Sequence, residues 1–255
     1  MSDENVAAAA WPYPLVVAHR CGGKLAPENT LAGLDQAVRF RASMVEFDAK
    51  LSADGVPFLL HDDDVDRTSD GHGAAATQSY AALAALDAGS WFDPSYAGER
   101  MPTLAAVAQR CIELGLAANV EIKPCPGRDV ETGTQVALAV RALWAAAPVA
   151  PLLSSFSEIS LEAALAAAPE LARGLLFGQV PADWHARAAR LACISVHFDH
   201  KRIDAATLAA IRAAGYRTLA YTVNDVARAR ELREWGIDAL CTDRIDLIDD
   251  QTVLG

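Results

Sequence analysis

No stretch of this 255-residue chain comes near the roughly 18 consecutive apolar residues that a membrane-spanning helix requires, so an integral helical membrane protein is excluded. Positive charge is also scarce. Lys and Arg number 22 against 33 Asp and Glu, a net charge of −11, which argues against nucleic acid or an anionic membrane as the main partner, since both need a basic footprint. Any phosphate handled here must therefore meet local cations or a metal. Paired cysteine motifs are missing too. Cys21, Cys111, Cys125, Cys193 and Cys241 are odd in number and widely spaced, with no C-x-x-C, which reads as reduced thiols and not as a disulfide framework or zinc knuckle. Met1 to Ala10 lack the basic and apolar regions of a secretory signal, and the expected location is the cytoplasm. Repeats, heptads and charge blocks are absent.

What is present is a 52% hydrophobic chain long enough to bury a full core. Short apolar or β-branched runs recur at Leu15 to Ala18, Met44 to Phe47, Pro57 to Leu60, Ala117 to Ile122, Pro151 to Leu153, Gly174 to Phe177, Ala192 to Phe198, Thr218 to Val223 and Asp238 to Cys241, and read as strands. Stretches of helical period lie between most of them, such as Asn29 to Ala42, Leu104 to Leu114, Thr132 to Ala146, Ser157 to Ala168, Ala205 to Ala214 and Val226 to Trp235. This alternation predicts an α/β fold with a parallel sheet, and at this length a single (β/α)₈ TIM barrel over residues 1–255, with a loose N-terminus at 1–11.

Nine strand candidates are one too many for that barrel. The gap from Asp48 to Pro57 is too short for a crossover helix and holds Asp54-Gly55, a hairpin signal. A hairpin centred on that dipeptide would set Asp48 opposite His61 and make the second arm an extra strand; a short extended connector to a parallel strand is the alternative. Residues 62–102 then break the alternation, and a long insertion on the chemical face of a barrel is expected to act as a cap.

Polar residues at the C-terminal ends of barrel strands point into the site. His19 and Arg20 close the first strand, Glu46 and Asp48 share one face of the second, His61 ends the hairpin arm, and Glu121 and Lys123 repeat the two-residue spacing. Crowded carboxylates repel unless a cation shares their space, and oxygen ligands select a hard ion, one Mg²⁺ or Ca²⁺. Arg20 and Lys123 suit a phosphoryl oxyanion, and His19 and His61 suit general acid and base. Together they describe phosphodiester cleavage. His72, His185, His197 and His200 join no such cluster; for His197, on a strand, a core histidine with its hydrogen bonds satisfied is the expectation.

These residues resemble the glycerophosphodiester phosphodiesterase family, and look closest to its cytosolic bacterial branch linked to glycerol 3-phosphate uptake. The carriers are His19-Arg20, Pro27-Glu28-Asn29-Thr30, Val45-Glu46-Phe47-Asp48, Leu60-His61-Asp62, Glu121-Ile122-Lys123, Ser154-Ser155-Phe156, Tyr221-Thr222-Val223-Asn224 and Cys241-Thr242-Asp243. The resemblance implies a barrel enzyme that hydrolyses small-molecule glycerophosphodiesters, such as glycerophosphocholine or glycerophosphoethanolamine, to sn-glycerol 3-phosphate and an alcohol. It implies His19 and His61 as acid and base, Glu46, Asp48 and Glu121 as metal ligands, Arg20 and Lys123 on the phosphate, and Glu28, Phe156 and Tyr221 near the glycerol. Asn29 belongs to the first motif but serves equally well as the N-cap of the first helix, for which Thr30 is the other start signal. Cys21 stands where the family usually has glycine, so a positive φ there would strain it and shift His19; Tyr221 stands where the family often has Trp. A related phospholipase or sphingomyelinase D, or a non-catalytic phosphoglycerol-binding barrel, are the alternatives. The oligomeric state is not encoded in any pattern.

Overall fold

A computed structural model of the chain describes residues 11–254. Its strands are β1 (Val16–Ala18), β2 (Met44–Leu51), β3 (Pro57–Leu59), β4 (Ala117–Ile122), β5 (Leu152–Ser155), β6 (Arg173–Phe177), β7 (Ser195–Asp199), β8 (Arg217–Tyr221) and β9 (Ala239–Thr242). Neighbours pair in the order β1-β9-β8-β7-β6-β5-β4-β2, all parallel, and a β1–β2 pairing closes the ring. The result is an eight-stranded (β/α)₈ TIM barrel with β3 as an antiparallel extra strand outside it. The strands read as near-continuous apolar runs because both their faces are covered, and every residue of β2 is buried.

The helices that cover the barrel are α1 (Leu31–Arg39), α3 (Leu104–Leu114), α4 (Asp129–Leu143), α5 (Glu158–Ala167), α6 (Trp184–Arg190), α7 (Ala205–Ala213) and α8 (Val226–Glu234). Short helices α2 (Tyr80–Leu83) and α9 (Asp250–Leu254) lie in the insertion and at the C-terminal end. Polar N-caps set several starts: the side chains of Thr30, Thr103, Ser157, Asp204 and Asp225 each accept a hydrogen bond from a first-turn backbone N–H. The helix α6 is absent from the sequence reading because its seven residues, WHARAAR, carry no apolar stripe and bury only Ala188.

The main core lies between strands and helices, while the bottom of the barrel is filled by Tyr13, Val17, Met44, Leu152, Leu219, Ala239 and Cys241. Of the N-terminal segment expected to be loose, residues 1–10 lie outside the described residues, and Trp11 rests edge-on against Tyr13 with ring centroids 4.9 Å apart.

The hairpin exists but its register differs from expectation. Ala49 faces Leu59 and Leu51 faces Pro57, and Ser52 N–H donates to the Val56 carbonyl, so the loop is the three residues Ala53-Asp54-Gly55. Asp48 therefore faces Leu60, whose N–H donates to the Asp48 carbonyl, and His61 falls one residue further on. The physical reason is that Gly55, at φ 79°, takes the left-handed position that closes a three-residue loop, which moves the centre of symmetry off the Asp-Gly pair.

Residues 62–102 pack on β3 through a small apolar cluster of Phe58, Leu60, Val65, Ala75, Leu83, Ala88 and Met101. Their aromatics Trp91, Phe92 and Tyr96 stack in sequence, and Tyr96 Oη donates to the Leu25 carbonyl, fastening the segment to the loop after β1.

Candidate active site

A cavity of about 240 Å³ opens at the C-terminal end of the strands. His19, Arg20, Glu46, Asp48, His61, Glu121, Lys123, Phe156 and Tyr221 line it, so nine of the ten residues singled out in the sequence meet there. Glu28 is the exception. Its carboxylate accepts from Arg20 at 2.9 Å and from both terminal nitrogens of Arg67 at 2.8 Å, outside the cavity lining.

The loop after β1 turns sharply enough to put consecutive side chains to different uses. Arg20 and Cys21 both have positive φ, 47° and 73°, and Cys21 N–H donates to the Glu46 carbonyl at 2.8 Å. The left-handed geometry expected to strain a cysteine is thus real. It sends the Cys21 side chain, fully buried, into the apolar core that also holds Leu34 and Ala37. Burial pushes that thiol's pKa far up, and His19 keeps its place at the rim. Close packing explains the neighbouring glycines: a Cβ on Gly22 would lie 2.9 Å from the Gly33 Cα, and one on Gly23 would lie 2.4 Å from the Asp243 carbonyl oxygen.

Glu46, Asp48 and Glu121 each offer an oxygen such that all three lie within 4.8 Å of one another, all buried. Burial, then the charge of Asp48, pushes the Glu46 carboxyl up to about 8, and the same causes in the same order raise Glu121. Burial would raise Asp48 too, but Lys123, His61, Arg20 and the Asn29 amide hold it below the usual carboxylate range. Oxygens ligating one ion at 2.0–2.6 Å are necessarily within about 5 Å of each other, so this cluster fits a hard divalent cation. The geometry thus allows the three to bind such an ion.

The cations sit beside them. Lys123 Nζ lies 2.8 Å from Glu121 Oε1, 3.5 Å from Asp48 Oδ1 and 5.7 Å from the centre of the Phe156 ring. Arg20 N–H donates to Glu46 Oε2 at 3.0 Å, while its buried Nε has no hydrogen-bond partner among the described residues. Phe156 is 46% exposed and meets Tyr221 edge-on at 5.8 Å, which makes it a rim residue and not core.

Each histidine leans on a carboxylate through Nδ1: His19 on Asp243 at 2.7 Å and His61 on Asp62 at 2.6 Å. Asn224 donates to Asp243 Oδ2, and Arg67 Nε donates to Asp62 Oδ2, so both carboxylates are themselves fixed. For His19, burial lowers the pKa, but Asp243 and Glu46 outweigh it and the net direction is up. For His61, burial lowers the pKa and Lys123 and Arg20 add to that against Asp48, so the net direction is down.

Several partners escape the sequence reading. Asn29 is not the helix cap, which is Thr30. Buried at φ 58°, it donates from Nδ2 to Asp48 Oδ2 and accepts the Asp48 N–H on Oδ1. The tolerance of Asn for left-handed φ was the one readable signal. Asp62 and Asp243 lie in quoted motifs, but nothing in spacing says that they face the histidines. His197 was expected to be a satisfied core histidine; it is fully buried and lines the cavity, yet its Nδ1 lacks a hydrogen-bond partner among the described residues.

The chain matches the Glycerophosphoryl diester phosphodiesterase family over residues 19–247. It belongs to that family. A glycerophosphodiester phosphodiesterase of Caldanaerobacter subterraneus is 32% identical over 90% of this chain and 93% of its own length. Among solved structures, an Oleispira antarctica phosphodiesterase in complex with its product sn-glycerol 3-phosphate is 36% identical, with a TM-score of 0.90 over 95% of this chain and 98% of that one. A glycerophosphodiester phosphodiesterase of Agrobacterium tumefaciens is 29% identical, with a TM-score of 0.77 over 91% and 97%. As a member of a phosphodiesterase family, the chain is an enzyme. No helix among the described residues is long and apolar enough to cross a membrane.

Proposed function

We propose that this enzyme hydrolyses water-soluble glycerophosphodiesters, such as glycerophosphocholine and glycerophosphoethanolamine, to sn-glycerol 3-phosphate and an alcohol, in the cytoplasm and with a divalent cation. The observation that carries this reading is the buried carboxylate cluster lying in one cavity with two aspartate-backed histidines and two cations. Glu46, Asp48 and Glu121 would hold Mg²⁺ or Ca²⁺, which when bound would supply Lewis acidity and neutralise phosphate charge. Arg20 and Lys123 bind the remaining phosphate charge.

The carboxylates on Nδ1 keep a proton there, so each neutral imidazole presents Nε2 to the cavity. One Nε2 takes the proton from the attacking oxygen, and the other, protonated, gives its proton to the leaving alcohol oxygen. Steps of this kind contribute about 10²- to 10⁴-fold each. Phe156 and Tyr221 pack against the glycerol carbons, Glu28 serves by holding Arg20 in place, and residues 62–102 act as a cap of a single barrel domain that supplies Asp62 and Arg67 to the rim.

The test is release of sn-glycerol 3-phosphate from glycerophosphocholine with Mg²⁺ or Ca²⁺, after chelation, and beside vesicles of intact phosphatidylcholine. Metal-dependent turnover of the soluble diester alone is expected. Absence of product with either ion would refute the reading, and cleavage of the vesicle lipid would move the enzyme to the phospholipase D class.

A further inference from the structure

The lower part of the cavity is lined by groups that no step above employs. On β4 the period of two puts Asn119 on the inner face directly beneath Glu121, and His197 lies on the inner face of β7; they are 2% and 0% exposed. His197 Nε2 pairs with Ser195 Oγ at 2.9 Å. Space for this pair comes from Gly174 on β6, where a Cβ would fall 2.4 Å from His197 Nε2.

Two atoms here are left over. Asn119 Oδ1 and His197 Nδ1 are buried without a hydrogen-bond partner among the described residues, although both side chains line the cavity. Buried polar atoms of native proteins are nearly always paired, so a ligand or an ordered water belongs against them. Their chemistry narrows the choice. An amide oxygen only accepts, and it repels an anion. Burial drives the His197 imidazole down to about 3, so near neutral pH it is uncharged and its free nitrogen donates or accepts according to tautomer. A hydroxyl group can satisfy both atoms at once, donating its proton to Asn119 Oδ1 and accepting from His197 Nδ1–H. Leu176 and Leu219 line the same cavity and suit the carbon atoms that carry such a hydroxyl.

We propose that Asn119 and His197 form a specificity site for the terminal hydroxyl of the glycerol moiety, the one farthest from the phosphate. The inference rests on the glycerophosphodiester reading. The cavity is thus divided by charge: ionic groups at the rim take the phosphate, and neutral groups on the floor read the polyol. A diester whose alcohol lacks that hydroxyl would leave both floor atoms unpaired, and sites built to pair a hydroxyl discriminate strongly against its absence.

The experiment compares competitive binding of sn-glycerol 3-phosphate and propane-1,2-diol 1-phosphate, which lacks only the terminal hydroxyl, to the Mg²⁺-loaded protein. Wild type should prefer the glycerol ester by about 10-fold or more, and Asn119→Leu and His197→Phe should each shrink that preference to roughly 3-fold or less. Because the readout is a ratio of two ligands on one protein, a partial loss of folded material does not affect it. Should a variant not fold, the wild-type ratio still decides. A wild type that binds both esters equally, with an ordered water filling the floor, overturns the proposal, as does a preference that survives both substitutions. Wild type that binds neither ester and releases no product from glycerophosphocholine refutes the glycerophosphodiester reading instead.

Discussion

His19 and Asp243 stand 224 residues apart in sequence and 2.7 Å apart in space, joined from Nδ1 to Oδ1 where the ends of β1 and β9 meet. The carboxylate fixes both the ring and its proton. Replacing Asp243 by Asn offers an amide that supports the wrong tautomer, so kcat on glycerophosphocholine should fall about 10²- to 10⁴-fold while KM changes little. Equal kcat in the two proteins would show that His19 needs no such partner.

The same contact is guarded by Gly23, whose φ is 59° and where an added Cβ would collide with the Asp243 carbonyl, leaving no place for a side chain. Gly23→Ala is expected to lower unfolding free energy by about 1–3 kcal/mol and to reduce activity with it, because the Asp243 backbone must move. Urea denaturation beside the steady-state assay checks this. An unchanged midpoint would mean that the loop relaxes freely.

Glu46 ties charge to stability. Its folded carboxyl titrates near 8 against an ordinary value of 4.5, so in metal-free protein the unfolded chain loses this proton first. Stability contributed by the protonated form is full below about 4.5 and is lost as pH rises through 8. Glu46→Gln should remove this decline between pH 5 and 8, an effect on the order of a few kcal/mol, and should weaken Mg²⁺ or Ca²⁺ binding at least 10-fold by calorimetry. Parallel stability curves for the two metal-free proteins would contradict it.

His197 carries the opposite sign. Its pKa falls from 6.5 to about 3 on burial, so the unfolded chain binds the extra proton in that window and stability drops as pH falls from 6.5 toward 3. His197→Phe, which does not titrate, should lose less stability between pH 7 and 4.5 than wild type does. Denaturant titrations at the two pH values provide the comparison, and an equal loss would place the acid sensitivity elsewhere.

Asn29 grips Asp48 by two hydrogen bonds, at 2.9 and 3.0 Å. Asn29→Ala should destabilise the fold by about 2–4 kcal/mol, since it leaves the Asp48 N–H unpaired and places a Cβ residue without a side-chain bond at positive φ. Asn29→Gly, free of the backbone cost, should lose less. If both variants matched wild type in chemical denaturation, the two bonds would contribute nothing.

The alternation of strands and helices was legible because it is a property of a few adjacent residues: apolar runs set the strands, and polar caps such as Thr103 and Ser157 begin the helices. Glu46 with Asp48, and Glu121 with Lys123, could be assigned to one face from the period of two alone. The sequence by itself therefore determined the barrel, its extra arm and the acid-rich rim. It did not determine which atoms touch. The hairpin register turned on the left-handed Gly55, and the role of Asn29 turned on a loop that points it at Asp48 and leaves the capping to Thr30. The backing of His19 by Asp243, and the unpaired floor atoms of Asn119 and His197, were decided only by closing the sheet. Periodicity is written between neighbours along the chain, whereas hydrogen bonds across a barrel depend on where its first and last strands meet.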